Sequence, residues 1–101
     1  MIPTHRIPTH PGEILLEEFL KPLGLSQAAL ARHLGIPLQR INEIVRGKRG
    51  ISPETAWLLA GAFGTTPDYW VNMQAHHDLA ADRPGRTVRR IRARRPAPRV
   101  A

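Results

Sequence analysis

The sequence predicts an all-α fold of five short helices, and three observations predict it. Apolar residues recur at helical spacing in each segment between residues 11 and 82. A serine, threonine or proline suited to a helix start opens the segments, and glycine or proline closes most of them. Four or more residues never alternate as a half-buried strand should, except weakly at "TVRRIRA", residues 87–93.

The first helix starts at Pro11, where proline fits the first turn. Leu15 and Phe19 recur at i, i+4, and Leu16, Leu20 and Leu23 at i, i+4, i+7. Glu17 and Lys21 fall on the other side, in the favourable order for an ion pair, and Pro22 with Gly24 ends the segment. Ser26 caps a second helix, "QAALARHL", which Gly35 terminates. Pro37 opens a third and Gly47 stops it. Ser52 before Pro53 opens a fourth, "PETAWLLAGAF", with Glu54 favourably placed in its first turn. Thr66 before Pro67 opens the fifth, "PDYWVNMQAHHDLAA", and Arg83-Pro84-Gly85 breaks it.

At 101 residues the chain has room for one small core. The helical segments place a single domain at residues 11–82, with an arm at 1–10 and a tail at 83–101. The arm repeats "IPTH" on either side of Arg6, and its prolines favour an extended chain. There are no cysteines, which excludes a disulfide framework or thiolate site and fits a reducing cytoplasm. No apolar run approaches the roughly 20 residues of a membrane span, and the N-terminus lacks a signal-peptide pattern. A soluble, cytoplasmic protein is expected.

Charge is unevenly divided. Residues 83–101 hold eight arginines and no acid. Seven of the 15 basic residues and all eight acidic ones lie in residues 1–82, a body of net −1. Such asymmetry suggests a flexible polyanion-binding tail, most often for nucleic acid.

The second and third helices carry a helix-turn-helix spacing. Counting from Gln27 as one, Ala31 is fifth, Gly35 ninth, Ile41 fifteenth and Ile44 eighteenth. The fifth position needs a small residue where two helices cross. The ninth needs a glycine able to take positive φ, and the last two need branched apolar side chains that pin the second helix. On a helical wheel Leu38, Ile41, Ile44 and Val45 share one side. Gln39, Glu43 and Arg46 form an i, i+4, i+7 stripe opposite, flanked by Arg40 and Asn42. Glutamine suits adenine, arginine suits guanine and glutamate accepts from the cytosine amino group, so this face is equipped for base edges in a major groove. Gln27, at the start of the preceding helix, and Lys48 and Arg49, after Gly47, are placed for the phosphate backbone. Glu43 is discordant, since near phosphate it repels unless a base or an arginine pairs with it.

Other chemistries find little support. His76 and His77 are adjacent, about 100° apart on a helix, and cannot chelate as an i, i+4 pair would. No metal site or cofactor is expected. Ser26, Ser52 and the threonines are accounted for as caps or loop residues, so no enzyme is expected. Trp57 lies on a helix apolar almost all round and is expected to be buried. Trp70, Met73 and His77 make an i, i+3, i+7 stripe for which so small a domain has little interior left, which predicts a dimer seam there.

"HPGEIL" (10–15), "LSQAALARHLGIPLQRINEIVRGKRGIS" (25–52) and "TPDYWVNMQAHHDL" (66–79) resemble the HigA antitoxins, a branch of the XRE/Cro/CI helix-turn-helix repressors. The most specific parts are the "HPGE" opening and the "W-x-N-x-Q-x-x-x-D-L" ending. The resemblance covers about residues 9–80 and implies a lambda-repressor-like homodimer that binds double-stranded operator DNA near its own promoter. It also implies a partner toxin, an mRNA-cutting ribonuclease of the RelE/HigB type, and places Gln39, Arg40 and Glu43 in the reading positions. The arginine-rich stretch after Pro84 is not part of the shared pattern. Two alternatives remain open: a stand-alone repressor without a toxin, and a toxin-holding module with little operator selectivity.

Overall fold

Five helices follow one another in the computed structural model, which describes residues 8–92. Residues 1–7 of the expected arm and residues 93–101 of the tail, with Arg94, Arg95 and Arg99, lie outside the described residues. Helix α1 spans residues 11–23, α2 Gln27–Leu34, α3 Leu38–Val45, α4 Pro53–Phe63 and α5 Pro67–Ala81. Among the described residues there is no strand, and residues 87–92 of the weakly alternating segment have no regular secondary structure.

Side chains and glycines set the helix ends as expected. Ser26, Ser52 and Thr66 each accept a hydrogen bond from the backbone N–H three residues on. That satisfies donors a helix start would otherwise leave without a partner. Gly35, between α2 and α3, takes φ 71°, a conformation that would strain a side chain bearing a Cβ.

Helix α1 departs from the α-period read from the sequence. Its middle, Leu15–Leu20, is π-helical, and the Lys21 N–H bonds to the Leu16 carbonyl. Pro22 has no N–H to offer and lies one residue beyond this wider turn. Hydrogen bonds reaching five residues back bring Leu15 and Leu20 into line, and both are fully buried, while Leu23 is left exposed. The expected Glu17–Lys21 pair is present at 2.8 Å.

The core gathers Leu15 and Leu20 of α1, Leu30 and Ala31 of α2, Ile41 and Ile44 of α3, Ala56 and Leu59 of α4 and Trp70 of α5. Trp70 is sealed, with Phe19 at 5.1 Å and Phe63 at 6.4 Å between ring centroids. Its indole N–H donates to Thr65 Oγ1 at 2.8 Å, the partner a buried indole needs. A tryptophan so enclosed cannot form a dimer seam, and the expectation that Trp70, Met73 and His77 face outward together is corrected. Met73 packs on the core, and the His77 Nδ1–H donates to the Pro8 carbonyl at 2.8 Å.

Trp57 is the opposite correction, being 68% exposed. Helix α4 buries Thr55, Ala56, Leu59 and Ala60 against its neighbours. Residue 57 points about 100° away from residue 56, off that wedge. An apolar composition all round the helix hides which side faces inward.

Candidate nucleic-acid interface

Helices α2 and α3 meet through the turn at Gly35 and Ile36, and α3 is fastened by its inner face. Ile41 and Ile44 are completely buried, and Ala31 of α2 is 3% exposed where the two helices cross. The Ile36 N–H donates to the Ala31 carbonyl at 3.0 Å, closing the turn. Behind α3, the start of α1 comes so close that a Cβ on Gly12 would collide with the Ile44 carbonyl. Helix α3 is therefore held from two sides.

Its outer face is divided into residues tied back and residues presented. The Asn42 amide donates to Gln27 Oε1 at 3.3 Å, bracing α3 against the first turn of α2. Arg49 Nε and Nη2 both donate to Glu43 Oε1, at 3.3 and 3.1 Å. Arg40 leans toward α4, with Nη1 3.6 Å from Glu54 Oε1. Gln39 and Arg46 are exposed at opposite ends of α3, and Arg46 is its C-terminal cap residue. Lys48 is exposed in the following loop, and among the described residues neither it nor Arg46 forms an ion pair.

Glu43 thus has the arginine it needs. The pair removes a negative charge from a face otherwise suited to phosphate and directs Arg49 along it. Leu38, expected inward, is 48% exposed on the first turn of α3. An apolar group there suits a thymine methyl, and the wheel alone did not single it out.

Sequence reasoning also missed a polar brace behind the loop after α3. The Gly12 N–H donates to His10 Nδ1 at 2.9 Å, so His10 caps α1. The His10 ring stands edge-on to His77 at 4.9 Å. One turn before His77, the buried Gln74 accepts from the Ile51 N–H at 2.8 Å through Oε1 and donates to Asp78 Oδ1 at 2.9 Å. His10 belongs to the "HPGE" opening, and Gln74 and Asp78 to the "W-x-N-x-Q-x-x-x-D-L" ending. Those motifs were the available signal, but spacing cannot say what they touch.

The chain is similar to known proteins over the same region. The family pattern described as helix-turn-helix matches residues 16–70. Virulence-associated protein I of Dichelobacter nodosus is 56% identical over 70 residues, which cover 69% of this chain. The match spans 65% of that relative's length, a little under two thirds. The structure of Pseudomonas aeruginosa antitoxin HigA with higBA promoter matches with TM-score 0.72 and 46% identity, over 73% of this chain and 80% of its own. Antitoxin GraA in complex with its operator matches with TM-score 0.80 and 38% identity, over 92% of this chain and 100% of its own. The family pattern takes in more than half of the sequence, and the likeness to HigA extends over most of both chains. The chain belongs to the helix-turn-helix family, in its HigA-type antitoxin branch.

Proposed function

We propose that the protein is a homodimeric repressor that reads operator DNA with α3 and serves as the antitoxin to an mRNA-cleaving toxin of the RelE/HigB type. One observation carries the DNA reading. Helix α3 is sealed inside by Ile41 and Ile44 and presents Gln39 and Arg46 outward, with Asn42 and Glu43 fastened beside them. In a major groove, Gln39 and Arg46 are the side chains available to base edges, and Lys48 and Arg49 the cations available to phosphate. Gln27 completes the set at the α2 N-terminus, where backbone amides favour a phosphate.

The relatives support the same reading, since HigA is described with its higBA promoter and GraA with its operator. The toxin partner rests on membership of the HigA-type branch. Arg83, Arg86, Arg89, Arg90 and Arg92 are exposed along the segment after α5 and would add phosphate affinity without base preference.

The test is binding to the gene's own upstream DNA and to scrambled DNA of equal length at two salt concentrations. Preference for the upstream DNA that persists at the higher salt is expected. Equal affinity for both, fading together as salt rises, would leave only the arginine-rich segment as the DNA-binding element. Co-purification with a neighbouring ribonuclease, with loss of its mRNA cleavage, tests the antitoxin half.

A further inference from the structure

The loop between α3 and α4 carries Lys48 and Arg49, and it is held from opposite ends by different parts of the fold. Its first half hangs from the reading helix. The Gly47 N–H bonds to the Ile44 carbonyl at 3.0 Å, and the Lys48 and Arg49 N–H groups share the Glu43 carbonyl at 2.9 and 3.2 Å. Its second half leaves α3 and is caught by α5, where Gln74 Oε1 accepts from the Ile51 N–H. Gly50 lies flush against the same amide. A Cβ there would stand 3.1 Å from Gln74 Cδ and 3.3 Å from both terminal atoms of the side chain.

Gln74 is only 9% exposed, and both ends of its amide are engaged. A buried amide is costly to leave without partners, so its orientation is set by the two groups it bonds. Asp78 accepts the Nε2 hydrogen bond and thereby points Oε1 at the loop. The other side of the loop meets the His10 ring, 3.9 Å from where a Cβ on Gly47 would lie. Its course is therefore fixed from outside the helix-turn-helix.

We propose that Gln74 is a positioning residue for DNA binding. Oriented by Asp78, it holds the Gly50–Ile51 backbone so that Lys48 and Arg49 reach the phosphates flanking the groove that α3 reads. This rests on the operator-binding reading above and deepens it. Gln74 touches no DNA; it sets how many phosphates the loop neutralises, while Gln39 and Arg46 set which sequence is preferred.

The experiment compares wild type with Gln74→Met, Asp78→Ala and the double variant Gln74→Glu/Asp78→Asn, on upstream and scrambled DNA across a salt series. Each neutralised phosphate contributes about 0.9 to the slope of log affinity against log salt. Gln74→Met is expected to lower that slope by one to two phosphates on both DNAs, leaving the ratio between them unchanged. Asp78→Ala, at an exposed position that leaves the core intact, is expected to shift the slope the same way by less. The double variant exchanges donor and acceptor between the two side chains. Its new carboxylate on the inner side accepts both from the Ile51 N–H and from the new amide one turn on, so the slope returns to the wild-type value.

A purely structural role would lower thermal stability without moving the slope of the folded protein. An unchanged slope in both single variants, or a double variant that fails to restore it, overturns the proposal. A wild type that binds both DNAs equally overturns the operator reading alone, since the slopes still judge Gln74. A wild type that binds neither overturns both.

Discussion

The guanidinium of Arg49 lies 3.1 Å from the Glu43 carboxylate, so the one acid on the outer face of α3 is paired with a cation of the next loop. Both side chains remain partly exposed, and such a pair contributes little to stability, on the order of 0–1 kcal/mol. Under the proposed DNA reading its effect falls on recognition, through the charge it cancels and the direction it gives Arg49.

Glu43→Gln is therefore expected to leave the melting temperature nearly unchanged and to strengthen binding to scrambled DNA. With the acid gone, the Arg49 charge is no longer cancelled or directed by Glu43, so Arg49 attracts phosphate on any DNA more strongly. Preference for the upstream DNA should fall accordingly. Titration of both DNAs at one salt concentration checks this, and a variant with weaker binding to scrambled DNA contradicts it.

The two tryptophans give a contrast in stability. Trp70 is wholly buried among aromatic rings, and Trp70→Ala is expected to cost about 3–5 kcal/mol, as large core truncations do. Trp57 is 68% exposed, and Trp57→Ala should fall within about 0.5 kcal/mol of wild type. Urea denaturation of both variants measures the difference. Similar losses at the two positions would mean that Trp57 is covered in solution.

These residues also mark how far the sequence could be read. The starts of α2, α4 and α5 were legible to the residue, because Ser26, Ser52 and Thr66 bond to backbone three positions on and proline follows two of them. The turn at Gly35 and the burial of Ile41 and Ile44 were legible because the helix-turn-helix spacing is itself a packing rule. The π-helical middle of α1 was not, since Leu15, Leu16, Phe19 and Leu20 satisfy the α-period and the wider turn equally well. Nor were the bonds that decide how the outer face works. Gln27 to Asn42 spans 15 residues and Ile51 to Gln74 spans 23, and no local pattern joins such partners.

His10 makes stability depend on pH. Its Nδ1 must be unprotonated to accept from the Gly12 N–H, and partial burial holds its pKa below the ordinary 6.5. The neighbouring His77 pushes in the same direction, and Asp78 opposes both. The unfolded chain therefore binds the proton more readily than the folded one. Stability from this group is fully present above about pH 6.5 and is lost as the pH falls from there through the folded value. His10→Asn keeps a capping side chain that does not titrate in this range and should flatten that part of the profile. Melting temperatures between about pH 7.5 and 5.5 provide the check, and an equally steep fall in the variant would place the sensitivity elsewhere.

The proposed base readers and phosphate contacts should separate by their salt dependence. Gln39 is exposed on the first turn of α3, and no hydrogen bond from another side chain restrains it among the described residues. Gln39→Ala is expected to lose about 1–3 kcal/mol on upstream DNA, the value of a good bidentate base contact. Scrambled DNA should bind as before, and the salt slope should stay constant. Truncation after Asp82 removes all eight arginines of residues 83–101. Its expected effect is the converse: weaker binding to every DNA, a shallower salt slope and an unchanged ratio between upstream and scrambled sequences. If truncation instead erased the preference while the slope held, the segment after α5 would be contributing sequence selectivity, and the division of labour between α3 and the arginines would have to be redrawn.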